Sequence, residues 1–160
     1  MLGLMQTSPL LISSIITHAA RHHARAEVVS REIDGRIVRT TYAALERRTR
    51  QLARVLLALG VQPGDRVATL AWNTARHVEI YYAVSGIGVV CHTLNPRLKP
   101  DIVSYIVNHA ADTVLFVDPS LTGLVETVAA SVAGTIRTVV VMADEDHMPP
   151  VALAPGMRLL

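Results

Sequence analysis

The 160 residues are 51% apolar and 18% charged, with a formal net charge of +2. That balance excludes a disordered chain, and the length allows one domain with a real core but not two ordinary ones. Aromatics make up 4% of the sequence, with one Trp (Trp72) and one Phe (Phe116), so the core must be built from Val, Leu, Ile and Ala. Lys99 is the sole lysine among 15 basic residues. The densest arginine cluster (Arg47, Arg48, Arg50, Arg54) falls on a helix that also needs an apolar face. It reads as solvated helix surface rather than a nucleic-acid footprint. Cys91 is alone and forms no internal disulfide, which suits a reducing compartment. No positive stretch precedes the apolar run 10–16, and no run approaches the ~20 residues of a membrane helix. A cytoplasmic location is therefore expected.

Ser8 and Pro9 open an amphipathic helix that runs to about residue 23, with Ser8 as its cap. Strands over 26–31 and 36–41 flank Asp34-Gly35, a hairpin signal because Gly tolerates positive φ. Residues 41–59 form the longest helix, with Leu45, Leu52, Val55, Leu56 and Leu59 on one stripe. Gly60 ends it and Pro63-Gly64 makes the next turn. A strand over 67–72, a helix over 74–85 and an apolar strand over 89–94 then outline a βαβ unit, whose strands must be parallel. That unit ends at Asn95-Pro96-Arg97. Pro100 starts another helix, with Ile102, Val103, Ile106 and Val107 apolar. Residues 113–117 form a short buried strand. Asp118-Pro119 follows, a capping carboxylate before a first-turn proline. A helix to about residue 133 and a strand over 135–142 complete the pattern. Repeated strand–helix alternation predicts an α/β fold: a mostly parallel sheet with flanking helices. Residues 143–160 mix acids, prolines and isolated apolar side chains and are expected to be poorly ordered.

Several motifs invite chemistry. Gly86-Ile87-Gly88 shares two glycines with a dinucleotide fingerprint, yet it lies after a helix and before a strand. A phosphate-binding loop needs the reverse order. A close helix–strand turn accounts for both glycines. His18 and His22 stand one helical turn apart, with His23 adjacent. Ala19 occupies the place of the glutamate in a zinc-protease helix, and the sequence offers no third ligand. A polar helix face is the expected role. His92 and His109 sit in apolar surroundings and are expected to be hydrogen-bonded core residues. Cys91 and His92 make no dyad, because strand neighbours point to opposite faces.

Three blocks together resemble the adenylate-forming (AMP-binding) acyl-CoA synthetases: Thr41-Tyr42-Ala43-Ala44-Leu45, Gly64-Asp65-Arg66-Val67, and Gly86 through Pro96. The family normally carries a glutamate where this chain has Ala44. That glutamate would complete a capping box with Thr41, so the departure weakens the helix start rather than the fold. MLGLMQ at the start, AWNTARHVE and HTLNPRL are most similar to one branch, the medium-chain fatty-acid–CoA ligases and 3-methylmercaptopropionate–CoA ligases.

The resemblance implies that residues 1–142 are the N-terminal α/β part of an AMP-binding domain and that 143–160 are a tail at its cut edge. The parent enzyme would join a carboxylic acid to CoA with ATP and Mg²⁺, through an acyl-adenylate, releasing AMP and pyrophosphate. The family's Thr/Ser/Gly-rich loop with its lysine, its ribose-binding aspartate and its late C-terminal lysine have no counterpart here, and Lys99 lies in a different context. Phosphoryl charge needs such donors. The chain itself is therefore expected to be catalytically silent and to bind none of these cofactors tightly. One role carries over. In relatives with Asn-Pro-Arg-Leu, the arginine lies near the CoA phosphates, which implies Arg97 as a phosphate contact; a guanidinium fork suits that geometry. The alternative for Arg97 is a surface arginine closing a loop. Elements of a complete domain would cover this segment, so exposed apolar surface and self-association are expected. The competing reading is a stand-alone, non-catalytic α/β interaction or regulatory module with unpaired sheet edges.

Overall fold

The computed structural model describes residues 3–4 and 6–160; Met1, Leu2 and Met5 of the opening MLGLMQ block lie outside the described residues. A helix, α1 (Ile12–His22), leads into a hairpin of β1 (Glu27–Arg31) and β2 (Ile37–Thr41), followed by α2 (Tyr42–Ala58). The hairpin is antiparallel, with Glu27 opposite Thr41 and Arg31 opposite Ile37. Gly35 takes φ +88 at its turn, a conformation that glycine adopts without a Cβ penalty. Thr41 Oγ1 accepts the Ala44 N–H at 3.3 Å, so α2 is capped although Ala44 supplies no reciprocal carboxylate.

The remaining elements alternate as β3 (Arg66–Leu70), α3 (Ala75–Gly86), β4 (Val90–Thr93), α4 (Pro100–Ala110), β5 (Val114–Val117), α5 (Thr122–Val132), β6 (Thr138–Val141) and β7 (Arg158–Leu159). The five strands form one sheet in the order β4-β3-β5-β6-β7, and every neighbouring pair is parallel. This is the parallel α/β architecture expected from the alternation. Parallel strands need long crossovers, and those crossovers place helices on both faces. Side chains alternate accordingly. Leu70, Leu115, Val117 and Val139 join a cluster with Val103 and Val107 of α4 and Val125 and Val128 of α5. Val67, Val114 and Phe116 face the other way, onto Leu56 of α2 and Ile80, Ala83 and Val84 of α3. Gly88 has φ +76, and its carbonyl accepts the Gly64 N–H at 2.8 Å. A Cβ on Gly88 would lie 3.5 Å from Pro63, so the turn that binds α3 to β4 also grips the turn before β3.

The structure departs from the sequence reading at several points. Helix α1 begins at Ile12 with Leu11 at its cap and no side-chain capping bond, not at Ser8-Pro9. Its start coincides with the first residues that reach the groove between α2 and α3: Ser13, Ile16 and Thr17. Tertiary packing sets this boundary, not the local cap signal. Val55, placed on the apolar stripe of α2, is half exposed, while Thr49 is buried between Leu45 and Leu56. The last strand of the alternation starts at Thr138, because Thr135 and Ile136 still bond to the Val132 carbonyl at the end of α5. Residues 143–160, expected to be poorly ordered, follow a defined course. Met148, Val151, Leu153 and Met157 pack on the α4–α5 side of the core, and Arg158–Leu159 add the fifth strand beside β6. Isolated apolar residues among prolines carry no strand period, which is why the segment was illegible.

Helix α4 ends in an unusual way. Ala111 takes φ +53 at its C-cap, where glycine is the common choice. The Arg66 guanidinium donates to the Ala110 and Ala111 carbonyls at 2.5 and 3.2 Å and so satisfies the helix end. Ala111→Gly should therefore raise stability by about 0.5–1 kcal/mol, the relief of left-handed strain outweighing glycine's entropy. Urea unfolding measures this directly. An unchanged or lower midpoint would show that Ala111 is not strained.

Candidate functional site at the carboxyl end of the sheet

After β3 the chain turns toward β4, and after β5 it turns toward β6 on the opposite side. The two loops part between β3 and β5, the place where open α/β sheets hold ligands. In this chain the parting is spanned by the protein itself. Asp118, 3% exposed, accepts the Trp72 N–H on Oδ2 at 2.6 Å, and the Trp72 indole donates to Ser120 Oγ at 3.1 Å. Asp118 was expected to cap the helix after it; the single turn that follows has no side-chain cap. Its carboxylate staples the two central strands instead, and the capture of Trp72 ends β3 at Leu70 rather than at Trp72. Burial raises the Asp118 pKa, and the Trp72 amide, His77 and Arg76 oppose that rise.

The first turns of α3 reinforce this junction. His77 Nδ1 lies 3.1 Å from the Trp72 carbonyl and Nε2 lies 3.0 Å from Thr69 Oγ1. A carbonyl only accepts, so Nδ1 carries the proton and Nε2 accepts from the Thr69 hydroxyl. Burial holds the His77 pKa below its ordinary value. Arg76 donates to the Met142 carbonyl at 3.0 Å and to Asp144 at 2.9 Å, which fixes the loop after β6 against α3. Between this loop and the hairpin turn lies a crevice of about 230 Å³, walled by Arg36, Arg76, Asp118, Met142, Asp144 and His147. An adjoining groove of about 140 Å³ has Leu52, Ile80, Phe116, Val140 and Met142 in its walls. The Arg48–Glu79 ion pair, at 2.5 Å with Glu79 nearly buried, closes its rim. The apolar side chains of this groove are buried or half-buried, so it exposes little apolar surface.

Arg97 lies at the same end of the sheet, just past β4. Its N–H donates to Asn95 Oδ1 at 3.0 Å, an Asx turn, while Leu94 is buried and Leu98 half-buried on the core side. The motif therefore anchors a loop and holds Arg97 in solvent; Lys99 is exposed beside it. His92 is half-buried and holds the fully buried Asp112 through Nδ1, at 3.0 and 2.8 Å from its two oxygens. Burial raises the Asp112 pKa and His92 counters it. Cys91 faces the opposite cluster, and burial pushes its thiol up to about 11. His109 is not a core residue: it is exposed and stacks on Tyr105 with ring centroids 5.6 Å apart, because Val103 and Val107 take the inward face of α4. Arg76 and His77 are the residues that sequence reasoning missed, and Asp118 was read only as a helix cap. A carboxylate directly after a buried parallel strand was the available signal for Asp118.

Residues 16–155 match the profile of the AMP-binding enzyme family. The chain is 55% identical over 125 residues to a 3-methylmercaptopropionyl-CoA ligase of Ruegeria lacuscaerulensis, covering 78% of this chain and 23% of that protein. It is 44% identical over 157 residues to a medium-chain-fatty-acid–CoA ligase of Ectopseudomonas oleovorans, covering 98% of this chain and 28% of that protein. The structure of a Mycobacterium tuberculosis fatty acyl CoA synthetase superimposes with a TM-score of 0.73 at 26% identity, over 82% of this chain and 26% of that one. The chain thus spans about a quarter of the length of the curated relatives it matches.

The buried imidazole gives a pH signature. With its folded pKa lowered, His77 binds a proton more weakly in the folded than in the unfolded chain. Its contribution to stability is complete above the reference value of 6.5 and is lost as pH falls through the folded value. The His77 ring resonances, followed by NMR, should titrate below pH 6.5, and His77→Gln should flatten the acid limb of the stability profile. A His77 midpoint at or above 6.5 would contradict the neutral, doubly bonded ring.

Proposed function

Because the chain belongs to the AMP-binding enzyme family, we propose that it is the N-terminal α/β portion of an ATP-dependent, AMP-forming acyl-CoA ligase acting on a short- or medium-chain carboxylic acid. The complete enzyme would use ATP, Mg²⁺ and CoA and would work in the cytoplasm. The observation that carries the reading is the match of residues 16–155 to the family together with 55% identity to a curated acyl-CoA ligase.

Within that enzyme these residues act as a frame. Asp118 and the Trp72 amide tie β3 to β5 at the carboxyl end of the sheet. Phosphoryl stabilisation would come from groups outside the segment, since Lys99 is the single lysine and stands on an exposed loop. Later parts of the enzyme would cover exposed apolar side chains such as Val29, Ile37 and Val90, which in the isolated chain would drive self-association. Arg97 would contribute one solvent-side contact to the phosphates of CoA.

The test is a chimera in which residues 16–155 replace the matching segment of the Ruegeria ligase. The chimera should form acyl-CoA and behave as a discrete assembly, whereas the isolated chain should sediment with a mass that grows with concentration. Arg97→Ala in the chimera should raise the KM for CoA by about 5- to 30-fold, the equivalent of one or two kcal/mol, and leave acid-dependent pyrophosphate exchange unchanged. A folded chimera that makes no acyl-CoA would defeat the ligase reading. An unchanged KM for CoA would remove Arg97 alone.

A further inference from the structure

Helix α1 rests on the rest of the molecule through Ser13, Ile16 and Thr17. Its other side carries three exposed imidazoles: His18, His22 and the capping residue His23. His18 and His22 stand at i and i+4, one above the other, with ring centroids 4.5 Å apart; His18 and His23 are 6.0 Å apart. Among the described residues none of the three rings has a hydrogen-bond partner within the protein, so each is free to turn its nitrogens outward. Two rings this close on successive turns can each direct one nitrogen to a common ion at about 2.0–2.1 Å, as paired helical histidines do in zinc sites.

We propose that His18 and His22 form a two-ligand chelate for a divalent transition-metal ion of the imidazole-binding class, such as Cu²⁺ or Zn²⁺. Among the described residues no third histidine, cysteine or carboxylate converges on the pair, so water fills the remaining positions. The pair lies at the C-terminal end of α1, where the helix dipole favours a cation. Arg21, exposed on the same turn, opposes it, and the soft, neutral character of imidazole selects transition metals over Mg²⁺ or Ca²⁺. Bound metal would clasp the last turn of α1. The site shares no residue with the carboxyl-end crevice and is independent of the ligase reading.

The test titrates Cu²⁺ and Zn²⁺ separately into the purified chain by calorimetry, in a buffer that does not coordinate metal, with electron paramagnetic resonance of the copper form. One ion per chain should bind, Cu²⁺ more tightly than Zn²⁺, and the copper spectrum should show two nitrogen ligands. His18→Gln and His22→Gln should each weaken binding at least 10-fold, and His23→Gln and His147→Gln should change it less than twofold. All four positions are exposed, and circular dichroism would check that each variant folds. Absence of saturable binding below millimolar metal would overturn the proposal. So would binding that survives loss of both His18 and His22, or a His23→Gln loss as large as theirs.

Discussion

A parallel sheet must be covered on both faces, and that requirement shapes nearly everything in this molecule. The strands β3, β5 and β6, of four or five residues, alternate their side chains between two clusters, one under α4 and α5 and one under α2 and α3. Neither cluster forms without the crossovers that build the other. Between α2, α3 and β6 a small groove remains, with half-buried Val140 and Leu52 in its walls and Phe116 buried at its floor.

The two-sided sheet also fixes the character of the crevice at its carboxyl end. In an α/β protein that binds a ligand at the strand divergence, the loops leave a gap there. Here the gap is bridged by a buried carboxylate on a backbone amide and by a neutral imidazole holding the same tryptophan. A buried carboxyl with a raised pKa is often a sign of chemistry. In Asp118 burial alone raises the pKa, and the amide bond that joins β3 and β5 opposes the rise, so the perturbation accompanies a structural role. The polar groups that remain free, Arg97 above all, stand at the rim of the sheet and face solvent.

Much of this was legible in the sequence. Each strand of the alternation was placed within two or three residues, because β-branched runs bounded by Gly and Pro have few other solutions. The hairpin at Asp34-Gly35 and the glycine turn at Gly86 and Gly88 followed from the conformations that glycine permits. Features set by tertiary contact were not visible. The start of α1 is chosen by its seat on α2 and α3, Asp118 is drawn to an amide 46 residues earlier in the chain, and β7 has too few residues to carry a period. His92 and His109 looked alike in sequence, yet one holds Asp112 and the other lies in solvent, a difference decided by which turn of helix or face of strand meets the core.

As proposed above, these 160 residues would frame an acyl-CoA ligase whose adenylation chemistry is carried by other parts of the enzyme. The most direct measurement incubates the purified chain with ATP, Mg²⁺, CoA and a panel of short- and medium-chain acids and quantifies AMP. The frame reading predicts no AMP above the level without acid, because no lysine-bearing phosphate loop is present to stabilise the transferring group. Sustained, acid-dependent release of AMP by clean protein would contradict it and would place an active site within these residues.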